Sequence, residues 1–220
     1  MLNNLLGGGD IRTWLIQILL SLPIVLLALC VHETAHGYVA YKLGDPTAHS
    51  LGRLTLNPLK HLDPIGFICM LLFGFGWANP VPINTRYFKK PKRDMALSAL
   101  AGPLSNILLA VLFAVALKLF FMFFATRLTS NFFYIIYLFL LLGIRLNITL
   151  AVFNLIPIPP LDGSRILLIF LPTATYFKIM RYERYLSIGL MLALLFGLLD
   201  VPITLLSNFI MQLIQKLILL

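Results

Sequence analysis

Charged residues are scarce in this chain, and acidic residues are the scarcest. Only 11% of the 220 residues are Asp, Glu, Lys or Arg, and only eight are acidic. Because 60% of the residues are apolar, the chain lacks the polar material that would cover a water-soluble surface. The composition therefore excludes a soluble globular protein and predicts an integral membrane protein.

Cysteine is also nearly absent. Cys30 and Cys69 both lie in apolar stretches and neither belongs to a CxxC pair, which excludes a disulfide framework. Gly/Ser-rich linkers and internal repeats are lacking as well, so we expect a single membrane-embedded domain over residues 1–220. No small-residue cleavage site follows the first apolar run, and we expect this run to be retained rather than removed as a signal peptide.

Basic residues give the chain a formal net charge of +9, but they form no continuous polar strip of the kind that binds nucleic acid. They gather instead in three loops beside apolar segments, within 42–60, 86–93 and 178–184. By the positive-inside rule these loops are cytoplasmic, in a multi-pass protein of the cell membrane.

The apolar segments predict an all-α polytopic membrane protein with about five transmembrane helices. The predicted helices are 13–43, 95–126, 132–171, 185–199 and 201–220, of which 185–199 is short for a span. The stretch 63–84 contains glycines, ends near "NPVP" and lies between two basic loops. We therefore expect it to form a re-entrant or interfacial hairpin.

The sequence "HETAH" (32–36) closes the first apolar run. A helix places His32 and His36 on one face, about 6 Å apart along its axis, where both imidazoles can bind one zinc ion. Glu33 lies about 100° around the helix and can act as general base on a water. A chance match, or polar residues that cap the inner end of a span, is the alternative. Ionisable groups within a span are costly, and a divalent cation would offset that cost.

Zinc held by two histidines needs a third protein ligand. Asp162 lies in "NLIPIPPLDG" (154–163), where three prolines prevent a continuous helix and indicate a protein-lined cavity. Spacing alone is equally consistent with Asp162 as a zinc ligand and with Asp162 as the cap of a helix that begins near Gly163.

Together, "HETAH" and "NLIPIPPLDG" resemble the motifs of the site-2 proteases, a family of intramembrane zinc metalloproteases. The resemblance implies that His32, His36 and Asp162 bind one zinc ion per chain, and that Glu33 activates the water. It also implies that Asn154 orients the scissile carbonyl or stabilises its oxyanion. A hydrogen bond at the helix end is the alternative role for Asn154.

Three further stretches resemble a compact form of the family: "HLDPIG" (61–66), "WANPVPIN" (77–84) and "AGPLSN" (101–106). Gly102 and Asn106 fit the family's G-x-x-x-N pattern, which implies a contact with substrate. Close packing against the predicted helix 13–43, which carries His32 and His36, is the alternative for this small-residue segment. The PDZ and nucleotide-sensing domains of larger relatives have no counterpart in the sequence.

The resemblance implies an intramembrane zinc endopeptidase that hydrolyses peptide bonds in or near transmembrane segments of membrane-protein substrates, as in regulated intramembrane proteolysis. The expected partners are a transmembrane protein substrate and membrane lipid, with no nucleic acid, and the active site faces the cytoplasmic side. A catalytically silent membrane protein that binds or transports zinc is the alternative. Arg145 is unexpected in the middle of an apolar segment, and two interpretations stay open: it faces the cavity, or it snorkels toward the membrane surface.

Overall fold

The computed structural model describes residues 11–73, 76, 78–167 and 169–219. Over these residues the chain is helical, and the one strand-like pairing is a bridge between Leu62 and Ala78. The prediction of an all-α polytopic membrane protein is confirmed. In chain order the α-helices are α1 (Ile11–Lys42), α2 (Thr47–Ser50), α3 (Pro58–His61), α4 (Pro64–Phe73), α5 (Pro91–Phe124), α6 (Asn131–Asn154), α7 (Asp162–Leu167), α8 (Thr173–Met180), α9 (Glu183–Leu195) and α10 (Asp200–Ile214).

Four helices of the described chain are long and apolar enough to cross a membrane: α1, α5, α6, and α10 with the turn that continues it to Ile218. The predicted span at 185–199 corresponds to α9, which has 13 residues and is therefore about 20 Å long. This length is short of the roughly 30 Å hydrocarbon core, so our count of about five helices included one that does not reach across.

The predicted helix 132–171 is divided in the structure. α6 ends at Asn154, and helix resumes at Asp162 in α7. Three prolines lie between them, at 157, 159 and 160, and proline cannot supply the backbone N–H that a continuous helix requires. This break turns the chain so that Asp162 begins a new helix beside α1 and α5.

The C-terminus of α1 is closed by a Schellman motif. Gly44 adopts a φ of +110°, its N–H donates to Tyr41 O, and the N–H of Asp45 donates to Ala40 O. The buried carboxylate of Asp45 then accepts hydrogen bonds from the backbone N–H groups of Thr47 and Asn84, at 3.0 and 2.6 Å. The end of α1 is thereby bonded to an extended segment that lies 39 positions later in the chain.

Helix α5 is the centre of the bundle and packs against α1, α6 and α7. Along the face that meets α6, two small side chains are followed by two large ones. The buried cluster consists of Ala110, Ala114, Leu117 and Phe120 from α5, Ile144, Ile148 and Val152 from α6, and Ile214 from α10. Small residues let the helix backbones approach closely, which is the main source of helix association where lipid removes the hydrophobic driving force.

The chain on either side of α4 comes together, at residues 61–62 and 78–79. Leu62 pairs with Ala78, and the N–H of Asn79 donates to His61 O at 2.7 Å, so Leu62 and Ala78 are neighbours in space although 16 positions apart in the chain. The guanidinium of Arg53 then donates to the carbonyl of Asn79 at 2.8 Å. These bonds fix the start of an extended segment, residues 78–84, that runs past α1.

Candidate metal centre

The side chains of His32, His36 and Asp162 converge on one point. Nε2 of His32 lies 2.9 Å from Nε2 of His36, and Oδ2 of Asp162 lies 3.1 and 3.2 Å from these two nitrogens. Both histidines are buried, with 6% of their surface exposed. The structure therefore brings together three donor atoms that the sequence separates by 130 residues.

Each imidazole is hydrogen-bonded through Nδ1, the nitrogen that faces away from the candidate metal position. Nδ1 of His32 lies 3.0 Å from Oδ1 of Asn106, and Nδ1 of His36 lies 2.7 Å from the backbone carbonyl of Ser98. Both acceptors belong to α5, and Asn106 is fully buried. An oxygen acceptor at Nδ1 puts the proton there and leaves Nε2 unprotonated, as a metal ligand must be.

Gly102 provides the space that the imidazoles occupy. A Cβ atom at this position would lie 2.6 Å from Cε1 of His32 and would collide with the ring of His36. The structure thus places Gly102 and Asn106 behind the histidines, where both contact the rings. A direct contact of either residue with substrate stays a prediction.

Asp162 begins α7, outside the four spanning helices. No backbone N–H among the described residues donates to its carboxylate, and the N–H of Ser164 donates instead to Leu161 O. The arrangement therefore lacks the hydrogen bond that a capping aspartate would accept. Burial raises the pKa of Asp162, but the two neighbouring imidazoles lower it more strongly, and the pKa falls below its usual range.

The donor set fits a zinc ion. Zinc–nitrogen distances of about 2.0 Å in tetrahedral geometry require donor atoms about 3.3 Å apart, and the three separations here are 2.9 to 3.2 Å. Oδ2 of Asp162 is also buried, and among the described residues it accepts no hydrogen bond from outside this cluster. Two imidazoles and one carboxylate are a ligand set that leaves a fourth position open, as catalytic zinc requires.

Glu33 lines the same cavity as the three donor residues, but its carboxylate is not among the atoms that meet at the candidate metal position. Its Oε2 accepts a hydrogen bond of 2.8 Å from the backbone N–H of Val81 in the extended segment 78–84. A methyl group on Gly37 would meet Cγ1 of Val81 at 2.8 Å, so this segment lies directly against α1. Sequence reasoning did not identify the contact between Glu33 and Val81, because it joins residues that are 48 positions apart.

A cavity of about 140 Å³ lies in front of the donors. Asn154 and Arg165 line it, together with Glu33 and Val81. The Nδ2 of Asn154 donates to Leu150 O at 2.9 Å, which is the helix-end hydrogen bond considered above as its alternative role. A carboxamide carries two N–H groups, so the second can still donate into the cavity.

Two residues at the centre were missed in the sequence. Ser98 was not predicted, yet its carbonyl accepts a hydrogen bond from Nδ1 of His36 and its hydroxyl donates to His36 O at 2.9 Å. Arg165 brings a cation to the cavity, one turn after Asp162. Its position two residues after the proline-broken motif 154–163 was the available signal, since a basic residue so near a predicted ligand is unusual in an apolar segment.

Comparison with known proteins gives consistent matches. The family model described as Peptidase family M50 matches residues 20–198. The chain is 45% identical to the Bacillus subtilis protein named "Putative zinc metalloprotease YwhC" over 168 residues, 73% of each chain. It is 33% identical to a similarly named Mycolicibacterium smegmatis protein, Rip2, over 63% of this chain and 52% of that protein. A Methanocaldococcus jannaschii relative with the same description is 32% identical over 68% of this chain and 69% of its own length. No solved structure gives a significant match.

Proposed function

The chain belongs to peptidase family M50 and is a membrane zinc metalloprotease, and from this premise we propose that it cuts its substrates within the membrane. The depth of the candidate centre carries the proposal. His32 lies ten residues before the end of α1 at Lys42, which is about 15 Å along the helix axis. The substrate bonds that can reach this depth are those in or near transmembrane segments of membrane proteins.

We assign one zinc ion per chain to His32, His36 and Asp162. When bound, zinc supplies a Lewis acid that lowers the pKa of water and polarises a peptide carbonyl. Asn106 and the Ser98 carbonyl hold the two imidazoles in the tautomer and orientation that present Nε2, as outer partners of metal ligands do.

Glu33 is the proposed general base. Its carboxylate is adjacent to the donors and takes a proton from the attacking water, then returns that proton to the leaving amine. Asn154 donates its second amide N–H toward the oxygen of the scissile carbonyl, where negative charge develops. Both groups project into the same cavity as the three donors, so a single peptide bond can meet all of them.

The extended segment 78–84 forms one wall of the cavity, through Pro80, Val81 and Ile83. Because helical hydrogen bonds shield peptide carbonyls, the substrate must unwind before attack. We infer that the opened substrate pairs with segment 78–84 as an added strand.

Pairing with segment 78–84 is restricted by its own hydrogen bonds. Pro80 and Pro82 have no N–H, and the N–H groups of Asn79, Val81 and Asn84 are already bonded. Substrate pairing at Val81 would therefore release Glu33 from this segment. Binding of substrate and freeing of the general base are coupled in this proposal.

The proposed centre faces the cytoplasmic side. His36 contacts Ser98 and His32 contacts Asn106, so α1 and α5 are antiparallel and the end of α1 lies at the start of α5. Basic residues gather at that shared end, and basic loops are retained on the cytoplasmic side. They are Lys42, Lys89, Lys90, Lys92 and Arg93. Cleavage at this depth would release a cytoplasmic fragment, as regulated intramembrane proteolysis requires.

The experiment is to locate the cleaved bond. The purified protein, reconstituted in phosphatidylcholine liposomes, is incubated with single-span substrates and with soluble peptides of the same flanking sequence, and the products are identified by mass spectrometry. We expect cuts within or next to the span that stop when zinc is chelated. Equal cutting of the soluble peptides would contradict an intramembrane protease, and uncut substrates with retained zinc would favour the silent zinc-binding alternative.

A further inference from the structure

Arg145 lies deep in a spanning helix, far from both ends. It is nine residues before the end of α6 at Asn154 and 14 residues after the start at Asn131, which corresponds to about 13 and 21 Å along the axis. Its side chain is exposed rather than packed in the protein core. Ionisable side chains at this depth are costly and as a rule mark a functional contact.

The part of the chain that the structure describes offers Arg145 no anionic partner. No ion pair and no side-chain hydrogen bond among the described residues involves Arg145. Most of the chain's eight acids are outside the spans or near helix ends, including Asp94, Glu183 and Asp200 in the first turns of their helices. The described residues therefore leave this charge without a counter-charge.

Arg145 lines a groove that contains several polar side chains. The groove has a volume of about 210 Å³ and lies between α6 and α10. Thr149, one turn beyond Arg145, lines it on α6, and Thr204, Ser207 and Asn208 line it on α10. These three are spaced i, i+3 and i+4, so they share one helix face. The Oγ atom of Ser207 is buried and has no hydrogen-bonded partner among the described residues.

The groove is separate from the candidate metal centre. Nine residues on a helix correspond to two and a half turns, so Arg145 points away from the face that presents Asn154 to the catalytic cavity. The lining residues of the two cavities do not overlap. A ligand in the groove would thus be bound without entering the site of hydrolysis.

We propose that this groove binds a transmembrane helix of a partner membrane protein, through an Asp or Glu carboxylate in the middle of that helix. The carboxylate pairs with Arg145, and the hydroxyl and amide groups of α10 complete its hydrogen bonds. Apolar side chains of Ile203 and Met211 flank the polar groups, which suits a helix that is otherwise apolar.

Charge and depth select this occupant over two others. A lipid phosphate would lie at the membrane surface, and both helix ends are farther from Arg145 than its side chain extends. A second copy of this chain has no free carboxylate at mid-membrane, because Glu33 and Asp162 face the candidate metal centre. A foreign helix with a central acid supplies the missing charge.

The test measures binding of synthetic single-span peptides to the full chain in phosphatidylcholine liposomes, by energy transfer between fluorophores, at mildly alkaline pH. The peptides are identical Leu/Ala helices with Glu, Gln or Leu at the central position. We expect the Glu peptide to bind about ten-fold more tightly than the Leu peptide. Arg145→Gln should abolish this preference, and Arg145→Lys should retain most of it.

Two controls make the result decisive. Arg127→Gln removes one positive charge in the turn before α6, where Arg127 lies 5.8 Å from the Phe133 ring, and it should leave the preference intact. Ser207→Ala should weaken binding of the Glu peptide with no effect on the Leu peptide. Equal affinity of all three peptides for the wild type would overturn the proposal. So would a Glu preference that survives in Arg145→Gln, or one that phosphatidylglycerol abolishes by binding at Arg145.

Discussion

Gly102 offers a sharp test of the candidate metal centre, because one added methyl group should separate metal binding from folding. In Gly102→Ala the new Cβ would lie 2.6 Å from Cε1 of His32 and against the ring of His36. Ordinary carbon contacts are about 3.5 to 4.0 Å, so the imidazoles must move by about 1 Å. Zinc ligands tolerate displacements of only about 0.2 Å.

The expected loss of zinc affinity is therefore at least as large as that for losing an outer partner of a ligand, about 10- to 100-fold. The fold should change much less. Alanine in a helix interior is favoured over glycine by about 1 kcal/mol, and overpacking costs about 1 to 3 kcal/mol. The free energy of unfolding of the zinc-free protein should thus fall by about 0 to 2 kcal/mol.

The assay is competition for zinc against a chromophoric chelator, with thermal unfolding of the same preparations. Gly143→Ala is the matched control, because its Cβ would lie 2.5 Å from Cδ1 of Phe113, an equally close contact that touches no proposed ligand. We expect normal zinc affinity in Gly143→Ala and weak affinity in Gly102→Ala. Equal zinc affinity of the two variants would contradict the proposed metal position between His32, His36 and Asp162.

Three further variants test individual roles. Asp162→Ala should hold well below one zinc ion per chain under mild chelation, as measured by elemental analysis, whereas full retention would favour a capping role. Asn106→Leu removes the acceptor at His32 Nδ1 and should weaken zinc binding about 10- to 100-fold in chelator competition, with Asn106→Asp retaining most of the affinity. Asn154→Ala should lower kcat about 100- to 1,000-fold with little change in KM. A lower Tm with unchanged kcat would instead indicate that only its bond to Leu150 matters.

The sequence was most informative where structure depends on neighbouring residues. Membrane insertion follows from composition, and the shared face of His32 and His36 follows from helix periodicity alone. The prolines after Asn154 predicted a break in helix, but not how far the chain would turn. Spacing left Asp162 open between two roles, and the family resemblance carried its assignment.

Contacts between segments that are distant along the chain could not be predicted from the sequence. The partners of the two imidazoles, Asn106 and the carbonyl of Ser98, depend on the register of α5 against α1. The bond from Val81 to Glu33 depends on the path of an extended segment. The exposure of Arg145 to a groove required the position of α10, since the sequence shows only that the residue is unusual.

The division of 132–171 and the short α9 have a common physical reason. Hydropathy averages over a window and does not register where backbone hydrogen bonds must stop. Proline at 157 ends α6 locally, and Gly197, with a φ of +69°, follows the end of α9. Both helices are therefore shorter than the apolar segments that contain them.

The most direct measurement of the central claim compares zinc content and substrate cleavage in a single preparation of Glu33→Gln. Gln keeps the size of the side chain and removes its basicity, and we expect one zinc ion per chain with cleavage slowed about 100- to 10,000-fold relative to wild type. Cleavage at the wild-type rate would contradict Glu33 as the general base. Loss of zinc together with activity would instead place Glu33 among the ligands.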